Sequence, residues 1–469
     1  MIKFYYQYES MKGDSNMSLE AIIQDENRLF IGDRIGDEYR HDPFGMEVAS
    51  VYAVALPTTQ DEVVKLVNYA IEMDLKIIVR GANTGVSGAQ VPIHGGELII
   101  DLKRMNRILD FDEETLTLTV EPGVLLEDIQ KFVDSRGYFY PPDPGSKNST
   151  IGGNVATNAG GMRAVKYGTT RDYVKALDIV LPTGEAVTVG SLNEKSSSGY
   201  DLKNLFIGSE GTLGIITGIK LRVIPKPKNK RSVVLAFEDL YKATDGVLTI
   251  LRNGIKPTAL ELFERSTIAY SEQFLKEEFA SQKGDAYVLM TIDDDDLSAI
   301  DRQIDVVKAL MSDLAVEVVP LLTEEEEKRA WRLRDNILYA LMEFTTYELL
   351  DEVVPINRFA ELVSYTKELQ EKYGVNLINF GHAGDGNVHT ALMREGMDEE
   401  TWQAKRKPLL DDLYRKVKEL GGLPSAEHGI GVAKRPYFLE HTDPALLELM
   451  RRVKKAIDPD YRLNPGKVI

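Results

Sequence analysis

The 469-residue chain contains no cysteine. Disulfides, thiolate catalysis, Cys-ligated zinc and Cys-ligated iron–sulfur clusters are therefore excluded within it. Nor is there an apolar run approaching the ~18–20 residues of a membrane span. Positive charge is also scarce: 56 Lys+Arg stand against 74 Asp+Glu, a formal charge of −18. A nucleic-acid binder would show a basic stripe, and an anionic membrane surface would repel such a chain. Composition is otherwise that of a globular protein of two or three domains, 43% hydrophobic and 28% charged. These features fit a reducing cytoplasm. Residues 1–16 hold no uninterrupted apolar segment of the secretory kind and read as an extension ahead of a domain opening at Met17.

What is present has a clear order. Thr59-Gln60-Asp61-Glu62 reads as a capping box, and Val63, Leu66, Val67 and Ala70 recur at helical spacing behind it. Lys76–Arg80 is strand-like and runs into the loop Gly81-Ala82-Asn83-Thr84-Gly85-Val86-Ser87-Gly88. Between Gly145 and Gly218 there are 13 glycines in 74 residues, about twice the chain-wide 37 in 469. They follow no repeat period, so low complexity is not the cause. Glycine at this density lets backbone N–H groups approach a large anionic ligand, for which a dinucleotide is the natural candidate. The alternative is a glycine-rich region serving packing alone. Asn154, Asn158, Lys166 and Thr170 add polar partners among the glycines. No GxGxxG follows a strand into a helix and no GxxxxGK[ST] occurs, so nicotinamide-type Rossmann and P-loop readings have no support.

Pro225-Lys226-Pro227-Lys228 is a linker candidate. Beyond it, strand–helix–strand patterns over 233–263 and 287–320 predict a ferredoxin-like layer. The acidic runs Asp293–Asp296 and Glu324–Glu327 read as solvated loop and helix starts. A single helix over about 325–345 is expected next. Helices near 357–372, 401–420 and 444–457 and strands over 375–380 and 387–393 follow.

Only six histidines exist, and three fall in two short motifs. These are Gly381-His382-Ala383-Gly384-Asp385-Gly386-Asn387-Val388-His389 and Glu427-His428-Gly429-Ile430-Gly431. A loop could fold both imidazoles of the first motif toward one point, with Glu427 completing a two-His, one-carboxylate set for Zn²⁺, Fe²⁺ or Mn²⁺. The plainer alternative is that the histidines cap turns and the glycines shape the loop. Four potential ligands or bases in a histidine-poor chain favour the metal. Arg332, Arg334 and Asp335 read as surface salt-bridge material from spacing alone. Lys103, Arg104 and Arg107 read as surface basics.

Together with Tyr140–Pro144, Ile151–Asn154, Asn158–Arg163, Lys166–Gly168, Ser198–Leu202, Gly208–Gly214 and Asn464–Lys467, these motifs give the chain a resemblance. It resembles the FAD-linked D-2-hydroxy acid dehydrogenases and glycolate oxidase D-subunits of the vanillyl-alcohol-oxidase superfamily, over essentially everything after Met17. The resemblance implies an α+β protein. Its parts would be a two-part PCMH-type FAD-binding domain over 17–226, a ferredoxin-like cap domain over 227–423, and a C-terminal helical segment over 424–469 packing back on the flavin domain.

It further implies FAD cradled by Arg80, Gly81, Ala82, Asn83, Thr84, Gly85, Ser87 and Gly88. The rest of the cofactor would be lined by Pro142, Asp143, Gly152, Gly153, Asn154, Asn158, Gly160, Gly161, Glu210, Gly211, Gly214, Ile215, Ile216 and Asn464. A divalent metal would be held by His382, His389 and Glu427, with His428 as base and Arg334 on the substrate carboxylate. The expected reaction is oxidation of a D-2-hydroxy acid to the 2-oxo acid. Relatives that use dicarboxylates carry a lysine just ahead of the position of Asp351, where this chain has Leu349-Leu350, and a polar residue where it has Leu338. D-lactate or glycolate is thus expected over 2-hydroxyglutarate. Without cysteine, electrons must leave to an electron-transfer flavoprotein, an iron–sulfur subunit, a quinone or oxygen. Rival readings are a same-fold non-redox FAD enzyme, a metal-dependent hydrolase with a structural nucleotide site, and a chain that is mainly an electron-transfer subunit.

Overall fold

The computed structural model describes residues 18–42 and 45–469, so the expected extension at 1–16 lies outside the described residues. Three sheets carry the architecture. The first has four strands in the order Leu29–Ile31, Val51–Ala55, Glu97–Asp101, Ile77–Arg80, and its last three are parallel. Helix Gln60–Glu72 covers it with Val63, Leu66, Val67 and Ala70. Thr59 caps this helix by accepting from Glu62 N, but the Glu62 carboxylate accepts from Thr58 N and pairs with Arg28. The expected box is therefore only half formed, because the arginine draws the carboxylate aside.

The second sheet is antiparallel, in the order Ile108–Asp112, Thr117–Val120, Ile215–Arg222, Val174–Val180, Ala186–Gly190. The last two strands form the hairpin expected around Thr183-Gly184. These two sheets enclose separate apolar cores.

The third sheet has eight strands. Glu317–Leu321, Asn229–Phe237, Ala286–Asp294 and Ala259–Glu264 run in the antiparallel order of a ferredoxin-like layer. Helices Leu240–Arg252 and Leu297–Leu310 cover one face with residues at helical spacing, including Val247, Ile250, Ile304 and Val307. Sequence pattern did not reveal that the layer continues. The hairpin Asn376–His382 and Asn387–Met393 adds to the open edge of Ala259–Glu264, and Tyr347–Leu349 follows. Helices Arg265–Leu275, Glu324–Asp335 and Ile337–Phe344 cover the opposite face.

Three expectations need correction. The helix over 325–345 is two helices parted at Asn336, whose side chain donates to the Arg332 carbonyl at 2.8 Å. Asparagine offers the backbone this alternative to a continuing helix. The run Asp293–Asp296 is not wholly solvated: Asp293 lies on a buried strand, where the Tyr167 hydroxyl donates to both its oxygens at 3.0 Å and Lys166 pairs with it. This contact joins the helix Ala164–Tyr167 to the third sheet. A helix at Arg435–His441 was not expected, being too short to show a period.

The final helix, Pro444–Ile457, returns to the second sheet. Buried Lys454 donates to Thr212 O at 2.6 Å and pairs with Asp458.

Candidate functional site

The site begins with strand register. His382 faces Asn387 and Phe380 faces His389 across the hairpin, so both histidines share one sheet face. They sit on strands rather than in the loop that their spacing suggested. The turn 383–386 needs glycine at position 386, where φ is +83° and a Cβ would meet Val354 O at 2.0 Å. The two Nε2 atoms end 3.3 Å apart. Glu427 Oε1 lies 3.6 Å from each, and His428 Nε2 lies 3.9 Å from the same oxygen.

Two buried carboxylates hold this arrangement. Glu261 is the direct cross-strand partner of His382. It meets His382 Nδ1 at 2.7 Å and pairs with Arg334 through its other oxygen. Asp351 Oδ2 accepts the backbone N–H groups of Ala426, Glu427 and His428 at 2.9–3.0 Å, the Ser425 hydroxyl at 2.7 Å and Lys434 at 3.2 Å. It thereby fixes an irregular segment that carries two of the site's side chains. Neither Glu261 nor Asp351 was among the predicted site residues. The one signal for Glu261 was a carboxylate embedded in the apolar strand Ala259–Glu264.

Electrostatics follow from burial and proximity. Burial opposes ionisation of Glu427, yet the hydrogen bond and charge of His382 outweigh it and hold the carboxyl at about 2. Burial and the neighbouring His382 charge push His389 down to about 3. His382 overcomes its own burial penalty through Glu261 and is raised well above the usual imidazole value. Burial lowers His428, against the opposing charge of Asp351. Burial also raises Asp385 to about 7.

Do these residues fit a divalent cation? Metal–nitrogen bonds of about 2.0–2.1 Å at a tetrahedral angle place two nitrogens about 3.3–3.4 Å apart, as the His382 and His389 Nε2 atoms are. The Nδ1 contact of His382 to Glu261 is the outer support usual for a metal-binding imidazole. Asp351, His389, Glu427 and His428 form a second possible set, with ligand atoms within 4.8 Å of one another. The Asp351 carboxylate, however, is already filled by backbone, hydroxyl, amide and ammonium donors. The set His382, His389 and Glu427 is the better fit.

Beside this cluster runs a glycine-walled cleft between the first two sheets. Residues 80–85, 152–154, Gly211, Gly214 and Ile216 line it, together with Glu210 and Asn464. The Arg80 guanidinium turns away: it donates to Glu38 O and lies 4.7 Å over the Tyr39 ring. Glu210 accepts from Ile430 N and Gly431 N at 2.6 and 2.7 Å, tying the cleft to the segment that carries Glu427 and His428, and burial raises it to about 7. Asn464 accepts from Val79 N and donates to Glu210 O.

The other predicted cofactor residues take varied places. Ser87 donates to His428 O, and its own carbonyl accepts Val432 N. Gly88 faces Met46 and Val432. Gln130 donates to Pro142 O and to Asp143, whose carboxylate also pairs with Lys147 and Arg163. The Asn158 side chain accepts from Arg171 N, and Ile215 is fully buried in the core of the first sheet. Gly160 touches the cluster itself, since a Cβ there would lie 3.0 Å from Glu427 Oε2. Gly161 has φ +105° and abuts Asp143 O.

The FAD linked oxidases, C-terminal domain, match residues 226–468, and the FAD binding domain matches residues 51–190. The chain is 39% identical to a D-lactate dehydrogenase of Anaerostipes hadrus over 99% of this chain and 98% of that protein. It is 36% identical to glycolate oxidase subunit GlcD of Bacillus subtilis (strain 168), over 89% and 88%. Among solved structures, p-cresol methylhydroxylase with substrate bound superposes with a TM-score of 0.79 over 96% of this chain and 95% of that one, at 17% identity, which speaks for the fold alone. No described helix is long and apolar enough to cross a membrane. The chain thus belongs to the FAD-linked oxidases, in the D-2-hydroxy acid dehydrogenase and glycolate oxidase D-subunit family, and is an FAD-dependent oxidoreductase acting on CH–OH donors.

Proposed function

We propose that this protein oxidises a small D-2-hydroxy acid, D-lactate or glycolate, to the 2-oxo acid, and passes the electrons to a separate acceptor from the cytoplasm. The observation that carries this reading is the convergence of His382, His389, Glu427, His428 and Arg334 beside a glycine-walled flavin cleft. The relatives named above make a hydroxy acid the natural substrate class.

Each side chain has a role that its surroundings support. Arg334 is only 12% exposed and is held by Glu261, so its guanidinium is oriented before a substrate carboxylate arrives. Burial lowers His428 and so favours its neutral form, which can accept the hydroxyl proton. Asp351, 3.8 Å from His428 Nδ1, stabilises the imidazolium that results. His382, His389 and Glu427 would hold Zn²⁺, Fe²⁺ or Mn²⁺, which supplies a Lewis acid that acidifies a nearby hydroxyl. FAD supplies the acceptor for the C2 hydride. The chain has no cysteine for an iron–sulfur relay of its own, so the acceptor beyond FAD is an electron-transfer flavoprotein, an iron–sulfur subunit, a quinone or oxygen. A partner subunit is suggested by the name of the Bacillus subtilis relative.

Leu350 is buried in one apolar core and Leu338 and Leu349 pack against another, so these three positions offer a second substrate carboxylate no charged group. D-lactate or glycolate should therefore reduce the flavin anaerobically with kcat/KM well above that of 2-hydroxyglutarate, in protein shown by metal analysis to carry a divalent ion. Comparable values for the three acids would overturn the substrate assignment. A fully active metal-free preparation would overturn the metal.

A further inference from the structure

One buried carboxylate is shared between two parts of the site. Glu261 is fully buried, on a strand paired along both edges: it faces Leu289 on one side and His382 on the other. Its Oε1 meets His382 Nδ1 at 2.7 Å, and its Oε2 accepts from the Arg334 guanidinium. Among the described residues no third side chain or backbone donor reaches either oxygen. The opposite nitrogen of the His382 ring, Nε2, faces His389 Nε2 at 3.3 Å and Glu427 Oε1 at 3.6 Å. The imidazole therefore stands between the donor cluster and Glu261, and Glu261 stands between the imidazole and Arg334. Because the strand is held on both sides, the carboxylate cannot turn toward one partner without loosening the other.

Arg334 is surrounded by more negative charge than one guanidinium balances. Glu261 pairs with it, Asp335 Oδ1 lies 3.7 Å from its Nη1, and the charge of Glu427 also reaches it. A substrate carboxylate must compete with these three fixed carboxylates. With a divalent ion on His382, His389 and Glu427, two of the three change. The charge of Glu427 is taken up directly. The Nδ1–H of a ligating His382 is a stronger donor, so it holds more of the Glu261 charge. Both changes leave Arg334 less neutralised and more attractive to an anion.

We propose that Glu261 is a positioning residue that couples the two ligands of this site. A divalent cation on the donor cluster raises the affinity of Arg334 for the acid, and the acid raises the affinity of the cluster for the cation by the same factor. Couplings of this kind are typically about 5–150-fold. The inference rests on the proposed function in taking Arg334 as the carboxylate site and His382, His389 and Glu427 as the metal set.

The test uses flavin-loaded protein stripped of metal, with Zn²⁺ as the cation and propionate as the acid. Propionate has the carboxylate of D-lactate but no 2-hydroxyl, so it is not oxidised and offers the ion no hydroxyl. Competition with a chromophoric chelator reads Zn²⁺ affinity, and calorimetry reads propionate affinity. In the unaltered protein Zn²⁺ should tighten propionate about fivefold or more, and propionate should tighten Zn²⁺ equally. Glu261→Gln keeps the size of the side chain and removes its charge. It should weaken Zn²⁺ about 10–100-fold and bring the coupling factor close to unity, with flavin content retained. Loss of packing alone would weaken both ligands and leave the factor unchanged, so an unchanged factor overturns the proposal. Independence of Zn²⁺ and propionate in the unaltered protein overturns it too, and needs no variant to fold. Either result leaves flavin reduction by D-lactate standing. Failure of Zn²⁺ to bind at all would sink the metal reading and this inference with it, whereas failure of every hydroxy acid to reduce the flavin would sink the substrate reading and leave the coupling measurable.

Discussion

Single residues in this site act through what their neighbours allow. For His428, the proposed base, burial lowers the imidazole and so favours its neutral form, and Asp351 lies 3.8 Å from its Nδ1. Removing a general base typically lowers rate by about 10²–10⁴. His428→Ala should lose that much in the anaerobic rate of flavin reduction while keeping its flavin and its metal; unchanged reduction would remove the base assignment. A second residue reports on pH. Burial, reinforced by the charge of Asp351, raises Glu352 from 4.5 to about 8 despite Lys434 and Thr390. The folded protein therefore keeps a proton that the unfolded chain releases, and stability falls as pH rises from about 4.5 to about 8. Glu352→Gln should flatten that decline by roughly 1.4 kcal/mol per pH unit. Chemical unfolding at pH 5 to 8 checks this, and identical slopes for both proteins would refute it.

At the scale of elements, the site is a product of edges and returns. The hairpin Asn376–Met393 could supply two histidines from sequence alone, but it becomes a site only by pairing with the edge strand Ala259–Glu264, which places Glu261 behind His382. Residues 261 and 382 are remote in sequence, so no local pattern joins them. The helix Pro444–Ile457 makes a comparable return. Its Lys454 bridges Thr212 O, Leu463 O and Asp458, all buried, and so ties the chain's end to the flavin cleft. Lys454→Met leaves Asp458 as an unpaired buried charge, a change worth about 3–5 kcal/mol. A thermal melt should show the loss, and a flavin-release assay should show weaker retention, because Thr212 adjoins Gly211 of the cleft. An unshifted melt would mean that the tie is dispensable.

At the scale of the whole molecule, a protein of charge −18 must attract an anion. The cations near the site are engaged: Arg334 with Glu261, and Lys147 and Arg163 with Asp143. The long-range field is then repulsive, and salt should relieve it. Raising ionic strength from about 0.01 to 0.15 M, which shortens the Debye length from about 30 to 8 Å, should increase kcat/KM for D-lactate modestly. A steep fall would show instead that a local positive field draws the substrate in.

The chain's own order of residues determined a good deal. Helical and strand periods marked the ferredoxin-like layer, the helix Gln60–Glu72 and the hairpin around Thr183-Gly184, because burial of one face imposes those periods locally. Glycine density and two histidine motifs singled out segments that line the glycine-walled cleft and the donor cluster, because close backbone approach and imidazole chemistry need those residue types. Only the tertiary structure decided the rest. It extended the sheet by pairing two distant edges, buried Asp293 against Tyr167, and set Glu261 and Asp351 behind the site. These features rest on contacts between residues far apart in the chain, and sequence periodicity carries no record of such contacts.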